Sequence, residues 1–561
     1  MQPAMVGFVS GLLIQISAHA AAPVLDHLFP AAIQAGTTNL VTAVGKFDPW
    51  PAKVWVDAPG IVFQAETNSG KFSVAVAPDA PVGGHLVRCY NEQGASGLRF
   101  IIVTKERQTA EVEPNDEFRK PQAIEAFPAF INGRLEKSGD VDSYAVTLEA
   151  GQSVVASVEA YTLASPLDAV LRIVDSRGVQ LAWNHDGGPT LDPFLAWTAK
   201  AAGTYVVQVF GFAYPAESDV RFTGNARCVY RLHLSRGPYV KYTLPLGVQR
   251  GTKMVLELHG WNLPSPATLE FDGAGISDDQ PRVALCQGGF DNLLSISVGE
   301  GREYLEREPN DVVNETNRIA VPCGISGHID KAGDLDRYPF FAKKGEKWLI
   351  EVQSVALGFP LDAWVRIEDG AGKELAKNEG STGVDPKLEW TVPDDGDYVA
   401  VVGNRLQRGG TDYGYHLRIQ LARPVLRATL PESALAIAPG KTNELKVTLN
   451  RRHGFRGEVK VAVTNLPAGL TAEPMIAVDK DGEATLKFIA STEAKPWSGP
   501  IQVMATESTN GRLHRAVIEL TSATVNNGVP GGYQSLVVEA TDRLWLTLLP
   551  APAAKTDDQK K

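Results

Sequence analysis

Short alternating runs of apolar and polar residues fill most of this chain. Ser153-Val154-Val155-Ala156-Ser157-Val158 is representative, and Glu444 to Leu449, Val459 to Val463 and Ala484 to Phe488 read the same way. A period of two puts successive side chains on opposite faces of a strand, and the 3.6-residue period of an amphipathic helix is scarce. The 53 glycines and 36 prolines punctuate the runs at turn-like spacing. The pattern predicts an all-β protein. At 561 residues the chain is too long for one core, so tandem β-sandwich domains are expected.

Internal repeats set the boundaries. Pro30, Gly36, Gly45 and Asp57 recur as Pro245, Gly251, Gly260 and Asp272, each 215 residues on. A constant offset with matched Gly and Pro indicates duplication. A second unit also occurs twice. Gly151 pairs with Gly345, Pro166-Leu167-Asp168-Ala169 with Pro360-Leu361-Asp362-Ala363, Trp197-Thr198 with Trp390-Thr391, and Gly203-Thr204-Tyr205-Val206 with Gly396-Asp397-Tyr398-Val399. The expected order is a signal segment (1–20), an Ig-like domain (24–107), a jelly-roll-like domain (108–237), a short Ig-like domain (238–303), a second jelly-roll-like domain (304–423), a C-terminal Ig-like domain (424–550) and a disordered tail (551–561). Five such domains in line, each about 34 Å across, would make a rod of about 170 Å.

The chemistry that stands out is also duplicated. Glu111-Val-Glu113-Pro-Asn115-Asp116 is followed by Gly139-Asp140-Val-Asp142-Ser-Tyr144. Glu306-Arg-Glu308-Pro-Asn310-Asp311 is followed by Gly333-Asp334-Leu-Asp336-Arg-Tyr338. Two carboxylates about 4 Å apart repel by roughly 4 kcal/mol at an effective dielectric near 20. A hard cation removes that cost, and Ca²⁺ takes about 6–8 oxygens, mostly carboxylate and carbonyl. Two calcium sites are therefore expected, one per repeat, the alternative being an acidic, solvated linker. Each would lie where an Ig-like domain hands over to the next, so that the ion ties connector to module.

The run Glu-Pro-Asn-Asp … Gly-Asp-x-Asp-x-Tyr … Pro-Leu-Asp-Ala … Gly-Thr-Tyr-Val-Val resembles the bacterial pre-peptidase C-terminal domain, a family that includes the collagen-binding domains of clostridial collagenases. The resemblance covers both jelly-roll-like repeats. It implies calcium ligands Glu111, Glu113, Asn115, Asp116, Asp140 and Asp142 in the first, and Glu306, Glu308, Asn310, Asp311, Asp334 and Asp336 in the second. The 215-residue repeat resembles the immunoglobulin-like TIG domains of bacterial surface proteins. Asn465-Leu-Pro-Ala-Gly-Leu470 resembles the Ig-like domains found beside exported enzymes. The domain order is similar to that of exported planctomycete-type proteins.

Composition narrows the function. The net charge of −11, with no basic run, argues against nucleic acid. The apolar run Val6 to Ile16 before Ala18-His19-Ala20 reads as an export signal, although Met1 to Met5 carry no Lys or Arg. No later segment is apolar enough to span a bilayer. Cys89, Cys228, Cys286 and Cys323 fall in four different domains, which predicts buried free thiols. No His-Glu-x-x-His or Gly-x-Ser-x-Gly occurs. Ser326 lacks an elbow motif, and His185-Asp186 is matched by Asn378-Glu379, so neither reads as catalytic. Asp168 and Asp362 are expected to cap turns, and Trp197 and Trp390 to pack in cores. The sequence thus predicts a non-enzymatic exported protein, secreted, periplasmic or at the cell surface. It would engage an extracellular polymer or a cell-surface partner, or act as an accessory or targeting part of a secreted hydrolase system.

Overall fold

The computed structural model describes residues 21–551 except 188–189, 214–220, 277–281, 286–288, 293, 314–316, 381–383, 481 and 522–536. The predicted signal segment, Cys286 and all but the first residue of the predicted tail lie outside them. Among the described residues the chain is all-β, a succession of β-sandwiches with no α-helix. Alternating burial along the strands is the direct cause. Lys71–Val76, for example, buries Phe72, Val74 and Val76 while its other residues are less covered.

The first sandwich packs the sheet of Val24–Phe29, Thr38–Lys46, Lys71–Val76 and Ile61–Ala65 on that of Ala32–Gln34, Arg99–Thr104, Gly83–Asn91 and Lys53–Val56. Leu25, Val41, Phe72, Val87 and Ile101 share its core. The stretch after it forms two five-stranded sheets. One runs Gln108–Ala110, Ala129–Arg134, Val229–Ser235, Ser153–Glu159, Phe194–Thr198. The other runs Gln122–Ala123, Asp142–Leu148, Gly203–Ala213, Leu167–Val174, Gln180–Asn184. The corresponding later stretch keeps the same order, from Arg302–Leu305 and Cys323–His328 through Gly414–Leu421 on one side, and from Leu335–Ala342 and Gly396–Asn404 through Ala363–Asp369 on the other. Between them lie two three-stranded sheets, and the C-terminal stretch builds a further sandwich.

Several expectations meet a direct answer. Cys89, Cys228 and Cys323 are buried free thiols. Trp390 lies in a core and Trp197 packs against one. Among the described residues, no backbone N–H donates to the side chain of Asp168 or Asp362. Asp168 lies within the strand Leu167–Val174, and Asp362 pairs with Arg405 at 3.6 Å. The capping carboxylates are Asp192, which accepts the backbone N–H groups of Ala160, Tyr161 and Thr162, and Asp385, which accepts those of Ser354, Val355 and Ala356.

The rod is not what the chain builds. Leu86 and Leu98 of the first sandwich share a core cluster with the C-terminal strands. Arg88 is buried there, its guanidinium 5.9 Å from the Trp55 ring and 5.5 Å from that of Trp545, and it donates to the Ser433 carbonyl at 3.0 Å. Consecutive sandwiches also touch, through Asn132 and Ala32, Asn262 and Ser153, Ser326 and Leu246, and His453 and Glu389. The chain closes on itself.

Candidate metal centres

Each acidic motif starts at a strand end. Gln108–Ala110 pairs in parallel with Ala129–Arg134, and Arg302–Leu305 pairs in parallel with Cys323–His328. Glu111 and Glu306 follow directly. Their segments are thus stitched into the edge of the module's own sheet and are not a free connector, which corrects the expected placement between domains. Asp142 and Tyr144, two apart on one strand, both turn into the core, and Asp336 and Tyr338 repeat this. Gly133 and Gly327 let the opposite tyrosine approach. A Cβ on Gly133 would lie 2.2 Å from the Tyr230 ring, and one on Gly327 would lie 2.6 Å from that of Tyr415.

In the first repeat the structure gathers the five expected carboxylates. Acceptor oxygens of Glu111, Glu113 and Asp142 lie within 4.8 Å of one another, as do those of Glu113, Asp116 and Asp140. One oxygen of most carboxylates is already held. Glu111 Oε2 accepts the Arg134 N–H at 2.5 Å, Asp140 Oδ2 the Glu136 N–H at 2.5 Å, and Asp142 Oδ2 the Tyr230 hydroxyl at 2.5 Å. Asp116 Oδ2 pairs with Lys137 at 2.9 Å. The other oxygens are buried without a hydrogen-bond partner: Glu111 Oε1, Asp116 Oδ1, Asp140 Oδ1, Asp142 Oδ1 and the side-chain oxygen of Asn115, a residue only 1 % exposed. Buried polar atoms in native proteins are almost always satisfied.

The charge state carries the same mark. Burial first, and the Asp142 charge second, push the Glu111 carboxyl up to about 10. Burial pushes Asp142 up to about 8 and Asp140 up to about 6. Without a cation, this cluster holds protons that ordinary carboxylates lose well below neutrality.

The second repeat is similar but more self-contained. Glu306, Glu308 and Asp336 converge within 4.8 Å, while Asp311 and Asp334 belong to no such group. Asp334 Oδ1, Asp336 Oδ1 and Asn310 Oδ1 are buried without a hydrogen-bond partner. Glu306 Oε1, however, accepts from Asn310 Nδ2 and from the Tyr338 hydroxyl, both at 2.7 Å. Burial and the Glu306 charge raise Asp336 to about 10, and burial raises Glu306, Glu308 and Asp334.

Both donor sets fit a hard, oxygen-seeking cation. An internal cation answers only part of the demand. Lys137 reaches Asp116, but lies 3.6 Å from Asp140 Oδ1 and has no ion pair with Glu111 or Asp142; Lys331 plays the same part for Asp311 and Asp334.

Sequence reasoning missed the tyrosine brace. Tyr144 and Tyr230 share a hydroxyl contact at 2.6 Å, as do Tyr338 and Tyr415. Tyr144 and Tyr338 end the acidic motif and could have been found there. Tyr230 and Tyr415 come from a distant strand with no local signal. Ser326 is buried, and its hydroxyl accepts the Leu246 N–H at 2.8 Å. His185 pairs with Asp186 at 3.1 Å and stacks on Trp183.

No family model matches the chain. A stretch of 100 residues is 30 % identical to the probable subtilase-type serine protease of Deinococcus radiodurans, covering 17 % of this chain and 14 % of that protein. Among solved structures, the pre-peptidase C-terminal domain of a Bacillus anthracis collagenase aligns at 16 % identity over 20 % of this chain and 100 % of its own, with a TM-score of 0.17. The D0–D1 domain of intimin aligns at 12 % identity over 34 % of this chain and 94 % of its own, with a TM-score of 0.13. TM-scores this far below 0.5 carry no inference about function.

Proposed function

We propose that this chain is an exported, non-catalytic binding or structural protein whose two acidic repeats are held by calcium. The observation that carries this is the set of buried acceptor oxygens without partners in each repeat. They sit against a tyrosine brace at the sandwich core, where a cation supports the fold. Glu111, Glu113, Asn115, Asp116, Asp140 and Asp142 would hold one ion, and Glu306, Glu308, Asn310, Asp311, Asp334 and Asp336 the other. A bound dication would supply charge neutralisation. The protein's part is to present oxygens fixed by backbone N–H groups and hydroxyls. Export, with residence outside the cell or in the periplasm, rests on the apolar N-terminal run. Among the described residues, no helix is long and apolar enough to cross a membrane. The partner class is an extracellular polymer or a cell-surface protein.

Thermal melting of chelator-treated protein tests this. Calcium is expected to raise the melting temperature by several degrees at saturation, since ligand binding to the folded state stabilises by mass action. Magnesium should do much less, because it prefers to keep its waters. An unchanged melting temperature in millimolar calcium would remove the proposal's basis.

The match to part of a subtilase-type protease favours a second reading, in which the chain serves as an accessory or targeting part of a secreted peptidase system. Co-purification with a secreted peptidase from the native host would support it, and recovery free of any peptidase would count against it.

A further inference from the structure

The two repeats differ at one row of the sheet that contains Leu167–Val174 and its counterpart Ala363–Asp369. In the second repeat, Arg366 and Arg337 converge on buried Glu368, at 2.5 and 3.7 Å. Strand register identifies the equivalents. Arg366 lies opposite Val401, which lies opposite Arg337; Arg172 lies opposite Gln208, which lies opposite Ser143. Two residues on from Arg172, the position of Glu368 is held by Val174. The first repeat has the arginine without the carboxylate.

Among the described residues, nothing in the first repeat stands in for that carboxylate. Among the described residues, none forms an ion pair with Arg172. Its Nε and Nη2 donate to Gln208 Oε1 at 3.0 and 2.8 Å, and Gln208, itself buried, donates onward to Ser143 Oγ at 3.0 Å. The guanidinium lies 4.9 Å from the Phe210 ring. Burial lowers the Arg172 pKa with no acidic neighbour raising it. The two bonds to Gln208 hold the guanidinium in one orientation, and among the described residues Nη1 has no acceptor. The residue lines a cleft of about 400 Å³ with apolar walls from Phe118 and Val174. Arg119, Asp116 and Glu117 also line it, and Asp116 is already paired with Lys137.

We propose that this cleft binds the carboxylate of an acidic peptide side chain, which takes the place that Glu368 fills in the second repeat. A planar guanidinium presents a fork that matches a carboxylate, and the apolar walls suit a methylene stem better than a hydrated sugar acid. The assignment rests on the reading of the chain as a binding protein, and the cleft shares Asp116 with the first acidic cluster. Calcium binding measured on the same sample therefore tells the two failures apart.

Saturation-transfer NMR on the full chain with acetyl-Ala-Glu-Ala-amide is the test. Wild type should bind in the millimolar range. The Gln analogue of the peptide and the Arg172→Gln variant should each bind at least roughly tenfold more weakly, the scale of a lost hydrogen bond to a charged group. Val174→Glu, which places a carboxylate where the second repeat has one, should abolish binding in a chain that still unfolds cooperatively. No binding by wild type, undiminished binding of the Gln analogue, or equal binding of galacturonate would overturn the proposal.

Discussion

Asp142 shows how much one side chain can be asked to do. One oxygen is fixed by the Tyr230 hydroxyl, the other has no partner, and the carboxyl is driven up to about 8 by burial. Asp142→Asn should therefore remove the first calcium site and leave the second intact, which halves the calcium taken up in a titration. The first repeat should also be the tighter, because Glu306 Oε1 in the second already accepts an amide and a hydroxyl. A different pH dependence comes from histidines away from the acidic clusters. Burial lowers His27 to about 4 and His233 to about 3. The unfolded chain binds these protons near 6.5 and the folded chain resists them. Their stabilisation is thus complete above pH 6.5 and is lost as pH falls towards 4 and below. For His27 the loss is on the order of 3 kcal/mol. His27→Gln should flatten the fall in melting temperature between pH 6.5 and 4. An unchanged slope would mean that the imidazole is hydrated in the folded state.

At the scale of elements, the repeats are held together by close approaches that only glycine permits. Gly133→Ala would drive a Cβ into the Tyr230 ring, and overpacking of this kind costs roughly 1–3 kcal/mol. Denaturant unfolding should show that loss, together with weaker calcium binding, because Tyr230 braces Asp142. Much at this scale was legible in the sequence. Alternation predicted the strands, and the Glu-x-Glu-x-Asn-Asp and Asp-x-Asp runs predicted the acidic cluster, since local spacing encodes both. Other features were not legible. The parallel pairing of Gln108–Ala110 with Ala129–Arg134, which takes Glu111 out of the connector and into the module, is a long-range choice without a periodic trace. Asp192 and Asp385 cap turns some thirty residues away, a separation that no local spacing marks.

The whole molecule departs furthest from what its sequence suggests. Repeats in line imply a rod, but the burial of Arg88 between Trp55 and Trp545 brings the last sandwich onto the first. That contact joins residues more than 340 positions apart, and no repeat offset or motif encodes it. Small-angle scattering should give a radius of gyration nearer the roughly 24 Å of a compact chain of this length than the roughly 50 Å of a five-domain rod. Arg88→Ala should increase it by loosening the closure. A rod-like value for the wild type would contradict the closed arrangement. The central claim, however, is that two calcium ions complete the buried oxygen clusters, and counting bound metal tests it most directly. Equilibrium dialysis of the chelator-treated full chain against calcium, followed by elemental analysis, should find two ions per wild-type chain, one per Asp142→Asn chain and one per Asp336→Asn chain. Calcium-free wild-type protein after dialysis in millimolar calcium would contradict the account.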